Sequence, residues 1–194
     1  MAQVDEVLTI WGKICGPGLD EAGRALSQMT GLDFMMEDRA VNEENWGDVL
    51  ERFNAGNDPQ YCVVHLGAKG LLTAQIMLIF SPDHCRRLVS AMMGEEMELP
   101  LDDVGLSAFA EVGNVVGTAF LNVFANLFQT PFEPTIPHVL HGRREEVFPS
   151  FSRNERVLIT EAIFRVTGQA LSGEILIVPL RSDQDFGQRG GPRQ

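Results

Sequence analysis

Apolar positions along the chain follow two periods, one helical and one extended. Between Leu101 and Phe128, LDDVGLSAFAEVGNVVGTAFLNVFANLF, they recur at Phe109, Val112, Val116, Phe120, Val123 and Leu127, in steps of three or four. That spacing places them on one buried face of a helix. Asp102 or Asp103, just after Pro100, is positioned to cap its start by accepting bonds from the orphan N–H groups there. The stretch DEVLTIWGKI at 5–14 is also helix-like, and a second helix is expected over 19–29, ended by Gly31. Cys15-Gly16-Pro17-Gly18 predicts a break between the two, since proline has no N–H to donate and glycine adds backbone freedom. NEENWGDVLERF at 42–53 predicts a short surface helix and NAGNDPQ at 54–60 a turn. Ser81-Pro82-Asp83 opens a helix that runs to Gly94.

Strand patterns occupy most of the remainder. YCVVHL at 61–66 and LTAQIMLIF at 72–80 flank a turn at Lys69-Gly70. Residues 130–140 are proline-broken and extended, and Val157–Val166 with Gly173–Leu180 repeats the two-strand pattern. From Arg181 the chain is polar and glycine-rich, which predicts a disordered tail over 181–194. GLLTAQIMLIF at Gly70 aligns with GQALSGEILIV at Gly168, a shift of 98 (168 − 70), and the same shift sets Leu26–Met29 against Phe124–Leu127. A shift shared by helix and strands predicts duplication of a helix-then-strands unit. The expected class is α+β, one domain over 1–180 built of two related halves, about 5–98 and 99–180.

The polar face of the 101–128 helix is unusual for what it lacks. Ser107, Glu111, Asn114 and Thr118 lie four, three and four residues apart and form one stripe with no Lys or Arg. Gly113 and Gly117 flank it, each costing a helix about 0.5–1 kcal/mol relative to Ala. Spacing alone leaves two readings open. One is an ordinary solvated face with two packing glycines. The other is a surface kept low so that a partner can come close.

Composition narrows the partners. A net charge of −12 over 194 residues argues against a nucleic-acid backbone, which needs clustered Lys and Arg. No apolar run is expected to span a membrane, and the first twenty residues lack a signal-peptide layout. Cys15, Cys62 and Cys85 are odd in number and far apart, and read as reduced thiols of a cytoplasmic protein. His138 and His141 in PHVLHGRREE would chelate a metal on a helix, but Pro137 and Gly142 argue for an extended or turning backbone, so no metal site is expected. His65, alternating with apolar neighbours, reads as a strand residue.

The pattern Ser107, Glu111, Asn114, followed by Pro137 with twenty-two residues between Asn114 and the proline, resembles the signature of the CheC/CheX/FliY phosphatases. Those proteins act on the phosphorylated chemotaxis response regulator CheY. The resemblance implies pseudo-twofold halves that share one antiparallel sheet with long helices across it. It also implies roles. Asn114 orients the attacking water, and Glu111 docks by pairing with the receiver's active-site lysine. Ser107, Gly113, Gly117 and Thr118 complete the docking surface, and Pro137 shapes the extended segment. An aspartyl phosphate is a reactive acyl phosphate already held against Mg²⁺ by the receiver, so hydrolysis needs a water placed in line with the P–O bond. A side-chain amide suits that task because it offers donors and an acceptor without charge. No cofactor is expected on this chain, the Mg²⁺ coming with the receiver.

The 98-residue shift carries Ser107, Glu111, Asn114, Gly117 and Pro137 onto Thr9, Lys13, Gly16, Leu19 and Arg39. Nothing there replaces the Glu and Asn, so one active centre is expected, unlike the two of typical CheC proteins. Two non-enzymatic alternatives stand beside the phosphatase: a scaffold like the middle domain of FliM, and a module that binds a receiver or a CheD-type deamidase without turnover. The chain could be a monomer or a homodimer.

Overall fold

In the computed structural model, residues 2–53 and 59–180 are described, with side chains from residue 10 onward. The expected disordered tail at 181–194 and most of the expected turn at 54–60 lie outside the described residues. The chain runs α1 (Ala2–Thr30), β1 (Phe34–Asn45), α2 (Trp46–Arg52), β2 (Gln60–Lys69), β3 (Thr73–Phe80) and α3 (Pro82–Met93). It continues α4 (Asp103–Phe128), β4 (Glu133–Pro134), β5 (His138–Arg143), α5 (Arg144–Val147), β6 (Arg156–Val166) and β7 (Ser172–Leu180).

The strands form one sheet in the order β1-β6-β7-β3-β2, with β4 and β5 both paired to the outer side of β2. Every pairing is antiparallel. Because successive strand residues point to opposite faces, each strand feeds two cores. Cys62, Val64 and Leu66 of β2 face α1, α3 and α4 in the larger core, while Val63, Met77, Ile79, Leu176 and Val178 face the smaller core under α2 and α5. The expected surface helix at 42–53 is therefore partly wrong on two counts. Residues up to Asn45 belong to β1, and α2 buries Trp46 and Val49 completely.

Outward from the central β7·β3 pair, β6 corresponds to β2 and β1 to β5, so the sheet order is the same from either edge. The hairpin registers refine the sequence repeat. Cys62 pairs with Phe80 and Thr160 with Ile177, so the shift is 98 on β2 and β6 (62 to 160) but 97 on β3 and β7 (80 to 177). The alignment of the last strands by 98 is off by one residue. A slip of one would turn every side chain of β7 to the wrong core, so facing, not letter similarity, sets the register.

The predicted break at Gly16-Pro17-Gly18 does not occur: α1 is continuous with Pro17 inside it. Pro17 removes one hydrogen bond and costs about 3 kcal/mol, but its side chain is exposed and the buried stripe runs straight through. Trp11, Cys15, Leu19, Ala22 and Leu26 are all essentially inaccessible, and burying each large one stabilises by about 1.5–3 kcal/mol. Trp11 packs against Phe124 with ring centroids 4.3 Å apart and planes tilted by 45°, and donates from Nε1 to Thr160 Oγ1 at 2.9 Å. Gly18 permits the crossing of α1 over α4, since a Cβ there would lie 2.8 Å from the Phe120 ring. Tertiary burial outweighs local propensity here. Gly31, at φ +71°, ends the helix as expected.

α4 is the central helix of the larger core. Asp102 caps it, its Oδ1 accepting from Gly105 N at 2.9 Å. Phe109, Val112, Val116 and Phe120 are buried as the spacing predicts, but Leu127 is 53% exposed and Leu121 and Phe124 are buried instead. A strict seven-residue stripe drifts about 20° per heptad around an α-helix, so the buried face moves off it. By length and mean hydropathy (1.4) α4 is apolar enough to cross a membrane, contrary to the expectation from sequence. Burial of Phe109, Val112, Val116, Phe120, Leu121 and Phe124 among α1, α3 and the sheet accounts for much of that apolar character.

Candidate active site

α4 crosses β2 with Ser107, Glu111, Asn114 and Thr118 turned away from the sheet. Ser107 and Glu111 are exposed, and Asn114 and Thr118 half-buried. One turn separates Glu111 from Asn114, and Asn114 Nδ2 donates to Glu111 Oε2 at 3.4 Å. That contact is long, so it holds the amide loosely and leaves its carbonyl oxygen available. Among the described residues no Lys or Arg forms an ion pair with Glu111. The structure thus brings together a carboxylate with no partner cation and an amide, both open to an approaching surface.

Gly113 and Gly117 do not belong to that surface, and the expectation that they take part in docking is corrected. Both are buried on the side of the helix that meets β2. A Cβ on Gly113 would overlap Val64 Cγ1 and lie 3.0 Å from Val64 Cβ, and one on Gly117 would lie 2.6 Å from Leu66 Cδ1. Their missing side chains lower α4 onto β2. At about 100° per residue, Gly113 sits roughly 130° and Gly117 roughly 90° around the helix from the centre of the polar stripe, a rotation that neighbouring residue numbers conceal.

Pro137 immediately precedes β5. The segment before it is pinned to β2 where Thr135 N donates to Gly67 O and Gly67 N to Thr135 Oγ1, both at 2.8 Å. His138 and His141 lie on β5 opposite His65 and Cys62 respectively. Three residues apart on a strand, they point to opposite faces and cannot share one ion. All three cysteines are free and buried, and burial pushes the Cys15 thiol up to about 12. On α1 the positions related to Glu111 and Asn114 hold exposed Lys13 and half-buried Gly16; the side chain of Thr9 lies outside the described residues.

Sequence reasoning missed what lies beside the stripe. Met93, Asp103, Val104, Ser107, Ala108 and Glu111 line a shallow groove on the same surface. Val104 precedes Ser107 by three and was reachable by extending the stripe one turn. Met93 comes from α3, and no pattern within α4 could have found it.

Comparisons with known proteins agree with this arrangement. A family model described as chemotaxis phosphatase CheX matches residues 62–160, about half of the chain and the part that contains α4. A relative from Halobacterium salinarum, named "Putative CheY-P phosphatase CheC1", is 23% identical over 132 residues, 67% of this chain and 66% of that protein. The match therefore spans just under two thirds of that relative's length. Among solved structures, Thermotoga maritima FliY superposes with a TM-score of 0.68 at 20% identity, covering 88% of this chain and 87% of FliY. CheX in a complex with CheY, BeF₃ and Mg²⁺ from Borrelia burgdorferi gives 0.61 at 19%, covering 86% and 97%. The middle domain of FliM from H. pylori gives 0.65 at 14%, covering 90% and 91%. At these identities the structural likenesses establish the shared fold. With the family model matched across α4 and the sheet around it, the chain belongs to the CheC/CheX/FliY family of chemotaxis phosphatases.

Proposed function

We propose that this chain accelerates hydrolysis of the aspartyl phosphate on a CheY-like receiver domain, using one site on α4. The observation that carries this reading is the pair of exposed Glu111 and half-buried Asn114, one turn apart, with no ion-pair partner for Glu111 among the described residues. A receiver presents a lysine beside its phosphoryl group, and the carboxylate of Glu111 supplies the charge that lysine needs on docking. Asn114 then enters the receiver's site. Its amide accepts from the attacking water or donates to it and fixes the water in line with the P–O bond. Mg²⁺ belongs to the receiver, where it neutralises the charge on the phosphoryl oxygens. Ser107 and Thr118 flank the pair as docking contacts. The first half contributes no second centre, since Lys13 and Gly16 offer neither the carboxylate nor the amide.

Removal of one well-placed hydrogen-bonding group of this kind costs roughly 10²–10³ in rate. The test is the phosphate lifetime of candidate receivers, with wild-type protein and with Asn114→Ala. Decay faster than the receiver's own rate, abolished in the variant while binding persists, is the expected result. A folded wild-type protein that binds a receiver but leaves its phosphate lifetime unchanged would instead identify a scaffold or binding module.

A further inference from the structure

The groove beside the Glu111–Asn114 pair has a composition that selects a partner. Its apolar part is Val104, 57% exposed, and Met93, 38% exposed, brought together from α4 and from the end of α3. Large apolar side chains left in contact with water beside a functional site commonly mark a binding surface. At its two ends stand Asp103 and Glu111, about 12 Å apart along the helix at 1.5 Å per residue. Neither has an ion-pair partner among the described residues. Acids of α3 and the loop after it are neutralised, Asp83 by Arg86 and Arg87 and Glu96 by Arg86. The groove is therefore an apolar floor between two unneutralised acids, and it is continuous with the candidate active site through Ser107 and Glu111.

We propose that this groove sets receiver specificity. It seats an apolar side chain of the receiver next to the phosphorylation site, flanked by a basic residue that meets Asp103 while Glu111 meets the receiver's lysine. This inference rests on the reading of the chain as a receiver phosphatase. Val104 lies ten residues, about 15 Å, from Asn114 along α4, so it acts on docking and not on the positioned water.

Receivers held in the phosphoryl-like state with beryllofluoride and Mg²⁺ provide the binding probe, and phosphorylated receivers the turnover probe. Val104→Asp should weaken binding of the cognate receiver about tenfold, as expected for losing a central interface contact. KM should rise in proportion while kcat stays within about twofold. An acidic residue in the first turn of a helix is favourable, so the variant should fold. Asp103→Asn should flatten the salt dependence of binding. If Val104→Asp binds and turns over like wild type, the groove proposal is overturned while the phosphatase reading stands. If wild type binds in a Val104-dependent way but gives no acceleration, catalysis fails and the groove survives. If wild type binds no receiver, both fall.

Discussion

Gly113→Ala tests whether the glycines of α4 serve packing or docking. An added methyl would overlap Val64 Cγ1 and sit 3.0 Å from Val64 Cβ, in the layer where α4 lies on β2. Val64 is fully buried and β-branched, so it has few alternative rotamers and its Cβ moves only with the strand. Overpacking of this kind costs about 1–3 kcal/mol. Because Val64 cannot yield, the cost falls in the upper part of that range, about 2–3 kcal/mol; replacing glycine in a helix returns about 0.5–1 kcal/mol, leaving a net loss of roughly 1–2.5 kcal/mol. For a chain of this size each kcal/mol moves Tm by about 2–4 °C, so thermal melts should show a drop of about 2–10 °C. Gly117→Ala should cost less, because the atom it meets is the flexible end of Leu66. Combining Gly113→Ala with Val64→Ala should give a smaller loss than the two single effects summed, the mark of direct contact. An unchanged or raised Tm for Gly113→Ala would refute the packing assignment, since that is how a solvent-facing glycine behaves.

Two further perturbations probe the buried groups. Burial holds the His65 imidazole below its ordinary value, so the native state favours the neutral ring. The stability this contributes is complete above the unfolded value near 6.5 and is lost as pH falls toward the depressed native value. Replacement by leucine should therefore stabilise increasingly between pH 7 and pH 5 in melts, and a pH-independent difference would count against it. The Cys15 thiol, pushed up to about 12 by burial and bonded to Thr160 at 3.2 Å, should resist alkylation at pH 8 until the protein is unfolded. Modification of Cys15 in native protein at the rate of a free thiol would show that α1 opens there.

Local pattern was enough for the types of the central elements and for the polar stripe, but not for β1, whose last residues read as helical. A 3.6-residue period and a two-residue period differ over any short window, so α4, α3 and the four long central strands could be read from spacing. Ser107, Glu111, Asn114 and Thr118 could be read as one face for the same reason. The repeat shift of 98 was legible because both halves keep the same apolar positions, such as Trp11 with Phe109 and Leu26 with Phe124. What the chain alone could not state was where each face points. Pro17 argues locally for a break, and only the packing of α1 on α4 keeps the helix continuous. Gly113 and Gly117 look like neighbours of the site in sequence, yet the side on which β2 approaches assigns them to the core. Met93 joins Val104 only because α3 returns beside the start of α4. Local chemistry sets periodicity, but a face acquires its role from what packs against it, and that is decided by contacts between residues far apart in the chain.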